Sequence, residues 1–188
     1  MGPYSSSNGV GAAPTGIAHY DGKALIEEHA RGAPIQTTIV RPAGFMETLL
    51  MPGSGLEVGR FSFFVRRDQS VQLIAVEDIG NVVAAVFASP ARFDGVTMEI
   101  ASDTVTGADI EQALSKAAGR PIAYTRYTPE FLRAHPLLEQ MSRLLDAGPL
   151  AGAADFKLLR SIVPDLTSFE AWLHGSGRKA LAQAVAAG

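Results

Sequence analysis

Polar and apolar positions follow two periods along this chain. Over residues 17–31, IAHYDGKALIEEHAR, the period is helical. Ala18, Gly22, Leu25, Ile26 and Ala30 fall on one side, and Asp21, Glu27 and Glu28 on the other. That split predicts a helix of about four turns, packed on a core by its apolar face. Thr15 is its candidate N-cap, and Gly32 and Pro34 stop it. Residues 35–40, rich in β-branched side chains, predict a strand. Helix, short loop and strand make half of a βαβ unit and imply a parallel sheet. The strand runs into Arg41-Pro42-Ala43-Gly44, and ligands of open α/β sheets bind outside the carboxyl ends of strands, so this turn is a candidate site.

The same reading predicts a short helix over 45–51, a strand over 59–65, a turn at 66–69 and an extended run over 71–76. Asp78, as N-cap or first-turn acid, opens a helix over 79–89 that Pro90 closes. Residues 96–101 form a strand. Thr106 and Asp109 form a capping box for a helix over 108–118, and 121–126 is extended. Further helices follow from Thr128-Pro129 and over 137–145. A second capping box, Thr167 to Glu170, starts a helix through Leu173, with Trp172 in the core. Residues 1–16, rich in Gly, Ser and Pro, read as a loop. The Ala-rich stretch from Gly175 reads as a tail that frays at its end.

The 188 residues, 47% of them hydrophobic, suffice for one domain, or one and a small lobe. The chain has no cysteine, which excludes disulfides, a thiolate nucleophile and thiolate metal ligands. A net charge of −3 gives no basic footprint for nucleic acid. No apolar run approaches the ~20 residues of a membrane span, and the start lacks the pattern of a signal peptide. A cytoplasmic protein is expected.

Gly9-Val10-Gly11 is not read as a dinucleotide fingerprint, because no apolar strand precedes it and Pro14 interrupts the spacing. His19, His29, His135 and His174 lack metal-ligand spacing, and G-x-S-x-G is absent. What remains is a run of hydroxyls from Tyr4 to Ser7, the pair His19 and Lys23, and Arg41-Pro42 at a strand end. His19 and Lys23 stand four apart on one helix face, at the rim of its apolar side. Such a pair either meets a ligand or is a surface Lys beside a capped or core His.

The segments YSSS, AHYDGK, TTIVRPAGFMETLL, AVEDIG and TGADIEQALSKAAGRP occur in the order and at the spacing of a known family. From Tyr4 to about Leu173 the chain resembles the second half of an NmrA-like protein, an atypical branch of the short-chain dehydrogenase/reductase superfamily. The resemblance implies an α/β fold: an incomplete Rossmann-type parallel sheet, its N-terminal βα units missing, with a small C-terminal α+β lobe. Residues 1–188 are then one domain fragment. Residues 1–55 and 71–105 are its Rossmann part, 56–70 and 106–174 a substrate or partner lobe, and 175–188 a tail. In the superfamily a Ser or Thr, a Tyr and a Lys form the reducing site. Lys23 matches the Lys, His19 falls on the Tyr position, and Ser5 or Ser6 matches the Ser. Tyr20, at three-residue spacing, is expected to turn away. The family often has Asn where this chain has Thr48.

Lys23, His19 and Ser6 are the implied catalytic residues. Tyr4, Ser5, Lys23, Arg41, Pro42 and Phe45 are the implied cofactor contacts. The implied cofactor is NAD(P), with NADP slightly preferred, bound weakly or not at all without the Gly-rich phosphate loop. The implied partners are the dinucleotide and a small substrate or a protein, with no nucleic acid and no membrane. An exposed sheet edge predicts association. Three functions follow: a dinucleotide sensor or regulator, an NAD(P)H-dependent oxidoreductase of a quinone or small carbonyl compound, or a truncated fragment without function.

Overall fold

The computed structural model describes residues 2–11 and 13–186. The chain runs β1 (Gly2–Ser5), α1 (Ala18–Gly32), β2 (Thr37–Pro42), β3 (Gly44–Phe45), β4 (Arg60–Phe63), β5 (Ser70–Ile74), α2 (Val76–Ala88), α3 (Pro90–Phe93), β6 (Thr97–Ile100) and β7 (Asp103–Thr106). It continues through α4 (Gly107–Ala118), β8 (Ala123–Arg126), α5 (Pro129–Ala134), α6 (Pro136–Asp146), α7 (Phe156–Ile162), α8 (Phe169–His174) and α9 (Arg178–Ala186). Two 3-10 turns, Met46–Leu50 and Leu56–Val58, flank the loop before β4.

Residues 2–5, expected as part of a loop, form the strand β1. Gly2–Ser5 pairs in parallel with β2, Tyr4 opposite Ile39, and β6 pairs in parallel on the other side of β2. Pro3 has no N–H to give, and an edge strand tolerates that; β1 is such an edge in the order β1-β2-β6. The pairing continues past the strand, with Ser6 N donating to Val40 O at 2.8 Å and Asn8 N to Pro42 O at 2.9 Å. A strand therefore does precede Gly9-Val10-Gly11. The helix still opens only at Ala18, so the glycines do not sit at a helix N-terminus.

A second sheet sets β5 between β3, parallel to it, and β7, antiparallel. Strands β4 and β8 form a parallel pair. One core packs α2 on the first sheet, with Val82 and Val86 against Val40 and Ile100, and Leu159 of α7 joining them. A second core gathers Phe61, Ile110, Leu114, Leu145, Phe169 and Trp172 with Ile17 and Tyr20 from the start of α1.

The buried face of α1 differs from the one the periodicity predicts. Leu25 is 68% exposed and Ile26 49%, while Tyr20 and Glu27 are buried. A carboxylate can be buried when it is paired and hydrogen-bonded, and Glu27 meets an arginine that projects from β2. Thr15 is not the N-cap either; that position is Ile17, without a side-chain cap. Thr15 instead gives its N–H and hydroxyl to Asp21 Oδ1, at 2.7 and 2.8 Å.

The capping box at Thr106 and Asp109 forms as expected. At the second one, Ser168 takes the cap, accepting from Ala171 N at 3.2 Å, because Thr167 is engaged by Asp78. Asp78 lies in the first turn of α2, where Ala75 is the uncapped N-cap. Its buried Oδ2 accepts from Ser102 Oγ at 2.6 Å and from Thr167 N at 2.9 Å. Pro90 begins the short α3 as well as ending α2. The stretch from Gly175, read as a tail, carries α9, whose Leu181 is buried. Among the described residues no helix is long and apolar enough to cross a membrane.

Candidate functional site

The mouth of the first sheet lies where β1 and β2 end. Lys23 reaches it from α1: its Nζ donates to Ser5 O at 3.3 Å and to Ser6 O at 3.1 Å. The ammonium stands 5.9 Å from the centroid of the Tyr4 ring, inside the range of a cation–π contact. An ammonium has three donors, and two are committed to these carbonyls. Burial, with the nearby Glu27 charge, raises the Tyr4 phenol above its usual pKa. Ser5 is exposed and Ser6 buried. Ser6 Oγ makes no hydrogen bond of regular geometry, although it stands near enough to Glu27 to help hold that carboxyl ionised. Tyr4, Ser5, Ser6 and Lys23 are thus brought together.

The other sequence candidates are placed differently. Arg41 points at α1, where Nε donates to Glu27 Oε1 at 2.9 Å and a terminal nitrogen to Oε2 at 2.6 Å. Arg31 adds a third bond to the same carboxylate at 2.6 Å. Burial works to raise the Glu27 pKa, but the bonds from Arg41 and Arg31 outweigh it and hold the group below its ordinary value. Pro42 is buried in the ladder, and Phe45 is 40% exposed beyond it. His19 is exposed, its ring 4.2 Å from that of Tyr20.

Tyr20 turns into the core, while its neighbour His19 stays exposed. Tyr20 is 6% exposed and lines a small apolar cavity of about 60 Å³ with Asn8, Thr48, Phe63, Phe64 and Leu150. A neighbouring cavity of about 360 Å³ shares Gly44, Thr48, Phe63, Phe64 and Met141 with it and adds Phe61, Tyr127 and Leu138. Burial raises the Tyr20 pKa, while Ser7 pulls it the other way. Gly9 packs against Leu150, which lines the smaller cavity. Its φ of +77° suits glycine, and a Cβ there would collide with Leu150 Cδ2.

A separate groove of about 340 Å³ runs beside α4, lined by Asp103, Asp109, Lys116 and Glu170. Its acids are already engaged: Asp109 with Thr106, Glu170 with Lys116, and Asp103 with Phe169 N at 2.9 Å. Among the described residues no cluster of three or more His, Asp or Glu could hold a metal ion.

Residues 5–148 match the model of the NmrA-like family. The chain belongs to the NmrA-like family. An NAD(P)H azoreductase from Xenophilus azovorans is 31% identical over 127 residues, which are 66% of this chain and 44% of that protein. This NmrA-like chain therefore spans less than half the length of that relative. Among solved structures, an NADPH-dependent quinone oxidoreductase from Escherichia coli superposes with a TM-score of 0.74 at 19% identity, over 92% of this chain and 66% of the other. The negative transcriptional regulator NmrA in complex with NAD gives 0.69 at 16% identity, over 92% and 63%. At such identities the likeness speaks for the α/β, Rossmann-type fold, with its parallel strands, and for the fold alone.

Proposed function

We propose that this NmrA-like chain serves an NAD(P)H-dependent reductase of small quinone-type or other conjugated acceptors, and that the end of β1 receives the nicotinamide ribose. The carrying observation is Lys23. Its ammonium is fixed by two main-chain carbonyls beyond the carboxyl ends of parallel strands, where ligands of such sheets bind. Its third donor suits a ribose hydroxyl. A bound reduced nicotinamide supplies a hydride. Lys23 holds the sugar, the Tyr4 ring stays beside the ammonium, and the apolar walls around Phe63 and Phe64 keep water from the acceptor. Gly9-Val10-Gly11 offers no helix N-terminus to a pyrophosphate, so this chain's own affinity for dinucleotide is low.

Titrating the protein with NADPH, read by nucleotide fluorescence, tests the assignment. Saturable binding is expected, weakened at least about tenfold in Lys23→Ala, as for the loss of one charge-assisted bond. Equal affinity in the variant would remove Lys23 from the site.

A second reading is a dinucleotide sensor or regulator without turnover. It is favoured by His19, which stands in solvent at the position where the superfamily's reducing phenol is expected. NADPH absorbance that stays constant with a quinone present, under conditions where NADPH binds, selects this reading over the first.

A further inference from the structure

A further groove borders the loop that walls the cavity of about 360 Å³. The groove has a volume of about 480 Å³ and is bounded by residues 50–54 and 57 and, from α9, by Ala180, Gln183 and Ala184. Residues 51–54 line both the groove and the cavity. Ser62 N holds this loop by donating to Ser54 O at 3.0 Å. Neither Lys23 nor any residue of β1 lines the groove.

Most of its walls are apolar. Leu50, Met51 and Pro52 stand on one side, and the small side chains of Ala180 and Ala184 on the other. The two alanines are four apart, so they share one face of α9, and that face leaves space instead of filling it. Met51 is 58% exposed, and a thioether adapts to an apolar body of varied shape. Glu57 is the one charged residue in the lining. Among the described residues its carboxylate forms no ion pair. The Arg120 guanidinium is engaged with main chain nearby, donating to Leu56 O at 2.9 Å and to Glu57 O at 3.1 Å. An apolar groove with a single unneutralised carboxylate is complementary to an apolar body with one positive charge, and it repels an anion. Its volume is within the size of small-molecule sites.

We propose that this groove is a second small-molecule site and that it takes an organic cation: an apolar, ring-sized body carrying one ammonium group. The body lies against Met51, Ala180 and Ala184, and the ammonium meets the Glu57 carboxylate. The site is separate from the Lys23 corner. It does not rest on the reductase reading, and its test needs neither dinucleotide nor turnover, so either can fail alone.

Titration of the full chain with phenethylammonium, followed by amide NMR, tests the assignment. Saturable shifts should centre on residues 50–57 and 180–184. Phenethyl alcohol, with the same ring and no charge, should bind there about fivefold more weakly, the worth of one exposed ion pair. Phenylpropionate, an anion, should bind more weakly still. Glu57→Gln should lose about fivefold for the ammonium and nothing for the alcohol. Ala180→Phe, at an exposed position of α9, should weaken both by filling the space. Circular dichroism confirms that each variant is folded, and if Glu57→Gln is not, the ranking of the three probes on the native protein decides. Shifts centred elsewhere, no saturable binding, an anion bound as tightly as the cation, or undiminished ammonium binding in either folded variant would overturn the proposal.

Discussion

Glu27 and Arg41 are joined in a two-toothed ion pair between helix and sheet, with one guanidinium spanning both carboxylate oxygens at 2.9 and 2.6 Å. The carboxylate is 1% exposed. Removing one partner of a buried pair leaves the other charge uncompensated, which costs more than the pair itself contributes. Glu27→Gln should therefore lower unfolding stability by about 3 kcal/mol, measured by urea denaturation, although the amide is nearly the same size.

The same pair sets a response to acid. The folded-state pKa of Glu27 lies below its ordinary value of 4.5. As pH falls below that value, the unfolded chain binds the proton first, so stability drops. The contribution is complete above 4.5 and fades through the folded value beneath it. Thermal melts across this range should show a decline that is shallower in Glu27→Gln.

Asp78 ties the start of α2 to the ends of two other segments through Ser102 Oγ and Thr167 N. An amide in its place would turn an N–H group toward donors. Asp78→Asn should cost about 2 kcal/mol, and Ser102→Ala about 1 kcal/mol. Chemical denaturation measures both, and the larger loss is expected in the asparagine variant.

Thr106 caps α4, and Gly107 follows where the backbone passes closest to its neighbours. A Cβ at Gly107 would stand 2.9 Å from Arg66 O and from Arg67 Cα, and backbone atoms cannot step aside as a flexible side chain does. Thr106→Ala should lose about 1 kcal/mol, the usual cost of an N-cap. Gly107→Ala should lose about 1–3 kcal/mol by overpacking. Hydrogen exchange in the first turn of α4 should rise in both variants.

What the sequence disclosed depended on how far apart the interacting residues lie. The box at Thr106 and Asp109 was legible because both partners sit within one turn. The capping role of Ser168 was not, since Asp78, 89 positions away, claims Thr167. Periodicity placed α1 correctly but chose the wrong face, because it equates burial with apolarity. Glu27 is inside only because Arg41 meets it from the neighbouring strand, while Leu25 and Ile26 stay out. The strand Gly2–Ser5 was hidden for a similar reason: only Tyr4 in GPYS favours a strand, and the pairing comes from Thr37–Val40 alongside. At the candidate site, Lys23 and the serines were singled out by resemblance, and the structure brings them together. The burial of Tyr20 was not legible, because it depends on the loop and strands packed over the start of α1.

Helix α1 grips two neighbouring strands at once, by Lys23 on the Ser5 and Ser6 carbonyls at the end of β1 and, one turn later, by Glu27 on Arg41 of β2. The position of the ammonium is thereby geared to a carboxylate one turn along the helix. Loosening that clasp would let the helix slide and carry the cation off its mark, so a defect in anchoring would be felt as a defect in recognition.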